Sequence, residues 1–207
     1  MDRGFNTITS SLKVSPISEP EFDILFSPIL VKDVSHIAVG VSGGPDSLAL
    51  SWLLHRWCEQ IGIRLIALTV DHRLRPNSSK DARNVFLWLK SWGLNCIILP
   101  WVGNKPSTGI QETARIARYK LMIDWCIENG VRDLALAHHQ EDQAETFLMR
   151  LSRGSGIDGL ACMREVTLRE GVRLLRPLLT VPKSRLRATL KSQNQGWLED
   201  PANSNPA

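Results

Sequence analysis

The sequence has no CxxC pair. Its four cysteines, Cys58, Cys96, Cys126 and Cys162, stand thirty or more residues apart. Metal sites and iron–sulfur clusters draw neighbouring cysteines from one turn, so this spacing argues against both. All four are expected to be small buried apolar residues. No apolar run reaches the ~18 residues that suggest a membrane span. The N-terminus also lacks an apolar block ahead of a small-residue cleavage site, and Asp2, Glu19, Glu21 and Asp23 interrupt it. A cytoplasmic protein without a membrane partner is expected. Internal repeats and low-complexity segments are absent. So are the mononucleotide loop GxxxxGK[ST] and the dinucleotide fingerprint GxGxxG, which removes support for γ-phosphoryl and hydride transfer.

Acidic residues are scarce in one third of the chain. From Arg150 to Lys191 there are ten Lys or Arg against Asp158, Glu165 and Glu170, a local charge of +7 within a total of +4. A basic segment of this kind suits a polyanionic partner, and it also fits a solvated Arg-rich surface.

What is present is an alternation of short apolar runs and amphipathic stretches. Residues 1–33 read as an N-terminal extension. Within it Ser18-Glu19-Pro20-Glu21 starts a short helix that carries Phe22, Leu25, Phe26 and Ile29. From His36 onward strands are expected at 37–41, 65–70, 96–99, 134–137 and 172–175, with helices at 47–61, 80–92, 110–129, 141–153 and 182–193. Strands separated by helices and short links imply parallel pairing and right-handed crossovers. The expected fold is a doubly wound α/β sheet of five parallel strands with helices on both faces. Ligands of such sheets bind beyond the carboxyl ends of the strands. Ser42–Ser47, Asp71-His72 and His138-His139 all follow such ends, so separate polar clusters should converge on one cleft.

The strongest signal is strand, then Ser42-Gly43-Gly44-Pro45-Asp46-Ser47, then helix. Two glycines let main-chain N–H groups approach an anion closely, and the helix N-terminus adds its positive end. A carboxylate at Asp46 repels phosphate unless Mg²⁺ lies between them or Asp46 caps the helix.

The ordered motifs that follow carry a family resemblance. The loop matches the SGGxDS signature of the PP-loop ATP pyrophosphatases. Val70-Asp71-His72-Arg73-Leu74-Arg75, Glu112 to Tyr119, His138 to Thr146, Arg153 to Leu160, Arg176 to Leu179 and Glu199 to Ser204 resemble, in order, segments of the tRNA(Ile)-lysidine synthetases. The resemblance implies an adenine nucleotide alpha hydrolase-like domain over residues 34–207, without the C-terminal tRNA-binding part usual in the family. It implies ATP and Mg²⁺ as cofactors, and isoleucine tRNA and free L-lysine as partners. The implied reaction ligates lysine to carbon-2 of the wobble cytidine through an adenylated base, releasing pyrophosphate and AMP. Thr113, Glu141 and Cys162 depart from the common pattern.

On this reading Ser42, Gly43, Gly44, Pro45, Asp46 and Ser47 hold the phosphates, Asp46 also contacts the metal, and Val70 and Asp71 border the adenosine. Arg115, with Arg118 one turn on, suits phosphate or the departing AMP, or else forms a solvated helix face. Asp142 and Glu145 share a helix face and could bind the lysine ammonium, hold a metal or accept a proton; helix-dipole compensation also explains acids there. A zinc site of HEXXH type is not supported, because the adjacent histidines diverge. Arg150, Arg153 and the Gly154-Ser155-Gly156 turn are expected near the tRNA. Other readings are a different PP-loop activity, such as tRNA thiolation or glutamine-dependent amidation, and a truncated ATP- or tRNA-binding protein without turnover.

Overall fold

The computed structural model describes residues 14–74, 77–103, 105, 108–154 and 161–199. Among these residues six strands form one sheet in the order β3-β2-β1-β4-β6-β5. They are β1 (His36–Gly40), β2 (Arg64–Asp71), β3 (Asn95–Pro100), β4 (Asp133–Ala135), β5 (Val166–Arg169) and β6 (Val172–Leu175). The helices are α1 (Glu19–Phe26), α2 (Pro45–Ile61), α3 (Ser78–Ser91), α4 (Ile110–Glu128), α5 (Gln140–Ser152) and α6 (Lys183–Ser192). The five expected strands are present and pair in parallel. The expected count of five is corrected to six by β5, an antiparallel edge strand joined to β6 through Glu170 and Gly171. Both turn residues have positive φ, 52° and 83°, as a two-residue hairpin with native strand twist requires.

Alternation along the strands assigns the layers. Ile37, Val39, Leu65 and Ala67 face one core, built with α1, α2, α3 and α6. Ala38, Ile66, Leu68 and Leu134 face the other, built with α4 through Tyr119, Met122, Ile123 and Cys126. Cys58, Cys96 and Cys126 are buried as expected and Cys162 is half-buried. Burial pushes the three buried thiols up to about 12, so they are protonated and inert at neutral pH. Gly40 lets α4 approach β1: a Cβ there would lie 2.9 Å from the Met122 sulfur.

Helix α1 starts where Ser18 Oγ accepts from the Glu21 N–H. Its apolar side is fixed by Phe26, whose ring meets Trp57 of α2 edge-on at 4.8 Å between centroids. Trp57 Nε1 donates to Asp23 at 2.8 Å. Glu21 pairs with Arg185 of α6, tying the N-terminal segment to the last helix.

The chain runs outward from β1 to β3 and then returns to place β4 on the other side of β1. The gap between the carboxyl ends of β1 and β4 is therefore the switch point of the sheet. Register there is held from below by Asp133, which is fully buried and meets Arg173 of β6 at 2.9 Å. Burial holds the Asp133 carboxyl above its ordinary range in spite of Arg173 and Arg132.

Candidate active site

A cavity of about 540 Å³ sits over that gap. Its walls are the end of β1 with the phosphate loop, the end of β2, the N-terminal half of α4, the end of β4 and one side of α5. Helix α5 has no fully buried residue, so its inner side is free to line the cavity with Asp142, Glu145 and Thr146.

Pro45 stands at the first position of α2, where its missing N–H costs nothing. Gly44 precedes it with φ −70° and ψ 163°, and no side chain caps the helix. The N–H groups of this first turn, where Asp46 and Ser47 line the cavity, thus have no intrahelical acceptor. Internal bonds set the loop. The Ser42 N–H donates to Ser47 Oγ at 3.1 Å, and Ser47 Oγ donates to the Gly44 carbonyl at 3.1 Å. Gly43, at φ 87°, is buried behind the loop, where its carbonyl accepts from the Leu198 N–H at 2.9 Å.

Among the residues singled out from sequence, Ser42, Gly44, Asp46, Ser47, Val70, Arg115, Asp142 and Glu145 line this one cavity. Gly43 and Pro45 do not; both are buried and shape the loop from behind. Asp71 also stands outside the lining. Its carboxylate accepts from Ser79 Oγ at 2.6 Å, Ser78 Oγ at 2.7 Å and the Arg73 N–H at 3.1 Å. Burial alone would raise its pKa, but those hydrogen bonds outweigh it and hold the carboxyl below its ordinary value. Asp71 thus ties the end of β2 to the start of α3. Arg153 is exposed, and Ser155 and Gly156 lie outside the described residues.

Two residues close the site: His139, which the sequence places at this cleft, and Lys183, which it does not. His139, 4% exposed, has Nε2 3.5 Å from Asp46 Oδ2 and 3.6 Å from Asp142 Oδ2, while Nδ1 stands 3.0 Å from Glu141 Oε2. Burial opposes its charge, yet Asp46, Asp142 and Glu141 together raise its pKa. Lys183 Nζ reaches Asp46 Oδ2 at 3.6 Å from the start of α6. The Lys183 N–H is itself received by both Glu141 oxygens, at 3.1 and 3.0 Å. Glu141 therefore caps α6 from the start of α5, and the cap delivers Lys183 to the cavity. A signal was available: α6 opens on Lys183 and Arg185 with no acid in its first turn, against the helix dipole.

His138 lines the opposite wall and differs sharply from its neighbour. Burial, then Arg176, Arg118 and Arg115, push its imidazole down to about 4, so it is neutral at pH 7. Its Nε2 lies 3.3 Å from the Tyr119 hydroxyl. The cavity is thus divided. Its α4 side is strongly positive, and its α5 side carries Asp142 and Glu145. Among the described residues no cluster of three His, Cys, Asp or Glu could cage a metal ion by itself. Among them, too, Asp46 Oδ1 is buried without a hydrogen-bond partner. No described helix is long and apolar enough to cross a membrane.

Comparison with known proteins agrees with this geometry. Over residues 15–207 the chain matches the family described as PP-loop domain. It is 48% identical over 194 residues to a tRNA(Ile)-lysidine synthase of Bradyrhizobium sp. (strain BTAi1), covering 93% of this chain and 54% of that protein. It is 51% identical over 172 residues to one of Rhodopseudomonas palustris, covering 82% and 50%. The chain thus spans about half the length of the curated relatives it matches. The U34-tRNA thiolase NcsA from Methanococcus maripaludis superimposes with a TM-score of 0.76 at 19% identity, over 91% of this chain and 67% of that one, which is a likeness of fold. A turn of main-chain amides at the end of β1, set at the switch point of the sheet and matched along nearly the whole chain, places the protein in the PP-loop family.

Proposed function

We propose that the chain is the catalytic part of an ATP-dependent ligase that joins lysine to carbon-2 of the wobble cytidine of an isoleucine tRNA with a CAU anticodon. The observation that carries this reading is the division of the cavity. One wall offers loop amides and the Arg115 and Arg118 guanidinium groups, which suit phosphates; the other offers Asp142 and Glu145, which suit an ammonium group. The names of the relatives support the same assignment.

The chemistry proceeds in two displacements. The carbon-2 oxygen of cytidine attacks the α-phosphorus of ATP, and the bond to pyrophosphate breaks. The lysine amine then attacks carbon-2, sheds a proton, and AMP leaves with the oxygen. The loop amides and Ser42 hold the pyrophosphate portion; they need no reorganisation as negative charge shifts towards it. Arg115 stands at the cavity wall to receive charge on the α-phosphate and on AMP. Asp142 and Glu145 orient the lysine and take up its proton, and the neutral His138 on the opposite wall adds no charge against the ammonium. Val70 borders the adenosine. Mg²⁺ fits here: Asp46 supplies an unpartnered buried oxygen, and Mg²⁺ commonly binds through one or two carboxylates plus substrate phosphates. When bound it would neutralise charge on the leaving pyrophosphate.

The test is direct. The chain is incubated with ATP, Mg²⁺, lysine and unmodified isoleucine tRNA, and both pyrophosphate and lysine incorporation are measured. Stoichiometric incorporation supports the reading. Pyrophosphate release with lysine left free would assign a different adenylation, and ATP binding without release would make the chain a non-catalytic binder.

Lys183 gives a sharper prediction. Its ammonium steadies Asp46 and adds positive charge at the cavity wall, so Lys183→Ala should lower the rate of pyrophosphate release by about 10–100-fold. The side chain is 34% exposed, so the melting temperature should stay nearly constant. Wild-type turnover in this variant would remove Lys183 from the mechanism.

A further inference from the structure

A second cavity, of about 330 Å³, opens between α4 and the β5–β6 hairpin. It shares Arg115 and Tyr119 with the first cavity and touches no residue of the phosphate loop. Arg176, just past β6, lines it and is only 8% exposed. Its Nη1 donates to the Arg164 carbonyl and to Thr167 Oγ1, both at 3.0 Å, while its Nε is buried without a partner among the described residues. Its ionisable neighbours are Tyr119, which hydrogen-bonds it, Arg115, of like sign, and the neutral His138; among the described residues no carboxylate pairs with it. Arg169 stands at the rim on β5; its Cζ is 5.7 Å from the Tyr119 ring centre, and that of Arg115 is 5.6 Å away. Their carboxylate partners, Glu170 at 3.6 Å and Glu112 at 3.8 Å, are more than half exposed and loosely placed.

A buried guanidinium without an acid is costly unless an anion reaches it. Here a single cavity collects three guanidinium groups, from α4 and from the β5–β6 hairpin with its exit. Ile116 and Leu168 leave exposed apolar surface at its edge. Guanidinium groups suit the planar oxygens of phosphate, and apolar surface suits sugars and bases. The position matters as well. The cavity adjoins the proposed reaction site but lies away from the loop that takes the nucleotide phosphates.

We propose that this second cavity is a subsite for a backbone phosphodiester of the RNA substrate, next to the nucleotide that reacts, with Arg176 at its base, Arg115 at the shared wall and Arg169 at its rim. The proposal rests on the tRNA reading above. It also gives the edge strand β5 a purpose, because β5 carries Arg169 into position to steady an unstacked loop strand.

The test uses the full chain, a fluorescent anticodon stem-loop RNA with a CAU loop, and ATP in separate titrations over a range of salt. Arg169→Ala should weaken RNA binding about 5–10-fold and reduce the slope of log affinity against log salt by about one, with ATP affinity unchanged. Arg176→Gln, checked for an intact melting transition, should do at least as much. If it does not fold, Arg169→Ala decides alone. Unchanged RNA affinity and slope in Arg169→Ala overturn the subsite while the tRNA reading stands. Loss of ATP affinity instead would hand the cavity to the nucleotide and overturn it too. Failure of the wild-type chain to bind the RNA at all, while still binding ATP, would sink both.

Discussion

Asp46→Ala is expected to cut pyrophosphate release by about 10³-fold or more while leaving a cooperatively folded protein. The size follows from how many things meet at this carboxylate. Oδ2 is approached by His139 and Lys183, at 3.5 and 3.6 Å, and Oδ1 is buried without a partner among the described residues. That unpartnered oxygen belongs to a residue of the cavity wall, beside a loop built for phosphate, which is where a metal-bound nucleotide needs an acceptor. The rival explanation is that Asp46 simply complements the dipole of α2, whose first turn contains no other acid. That role would cost about 0.3–1 kcal/mol of stability and would not touch turnover. Asp46→Asn separates the two, because it keeps the shape and removes the charge. Stability should shift little, since His139 retains Asp142 and Glu141 and Lys183 reaches solvent. Turnover near wild type in Asp46→Asn would end the catalytic assignment.

Much of the site was legible because its parts sit where local rules are strict. A strand feeding two glycines, a proline and a helix has few structural meanings, and the loop is where those rules put it. Of the polar clusters expected at strand ends, Ser42–Ser47 and His138-His139 meet in one cleft, while Asp71 and His72 stand outside its lining. What escaped the sequence was decided by tertiary geometry. Val166–Arg169 is a short alternating run with exposed Leu168 and Arg169, too weakly apolar to read as sheet until β6 supplies its partner. Asp71 reads like a ligand residue, yet Ser78 and Ser79 on the next helix claim its oxygens. Their reach depends on how α3 turns back onto the sheet, which no spacing along the chain reveals. Lys183 lies 137 residues from Asp46 and meets it only because Glu141 caps α6. Arg176 opens a family-like segment but carries no role from sequence; burial without an acid among the described residues is what sets it apart.

Gly43→Ala should damage ATP binding and stability together, and it tests the loop from behind rather than from the cavity. The residue has φ 87°, a conformation that costs an L-residue roughly 1–2 kcal/mol. A Cβ would also lie 2.6 Å from Leu198 Cδ1 and 2.6 Å from Val85 Cγ2. The two obstacles differ in kind. Leu198 belongs to the half-buried segment after α6 and can move, though its N–H is bonded to the Gly43 carbonyl. Val85 is 1% exposed in the packed core of α3 and cannot. Strain and overpacking together should cost about 2–4 kcal/mol, measured by urea unfolding. The loop can relieve the overlap only by moving towards the cavity, so its amides leave the positions a diphosphate needs. ATP affinity should fall at least about tenfold, the equivalent of roughly 1.4 kcal/mol. Leu198→Ala, nearly neutral alone, should recover part of both losses when combined with Gly43→Ala, because the pair share one contact and cannot be additive. Val85→Ala in the same background should recover part of the rest at the cost of its own cavity. A Gly43→Ala chain that bound ATP normally at unchanged stability would mean that the loop is not clamped between α3 and the segment after α6, and the account of how this fold holds a phosphate would have to begin elsewhere.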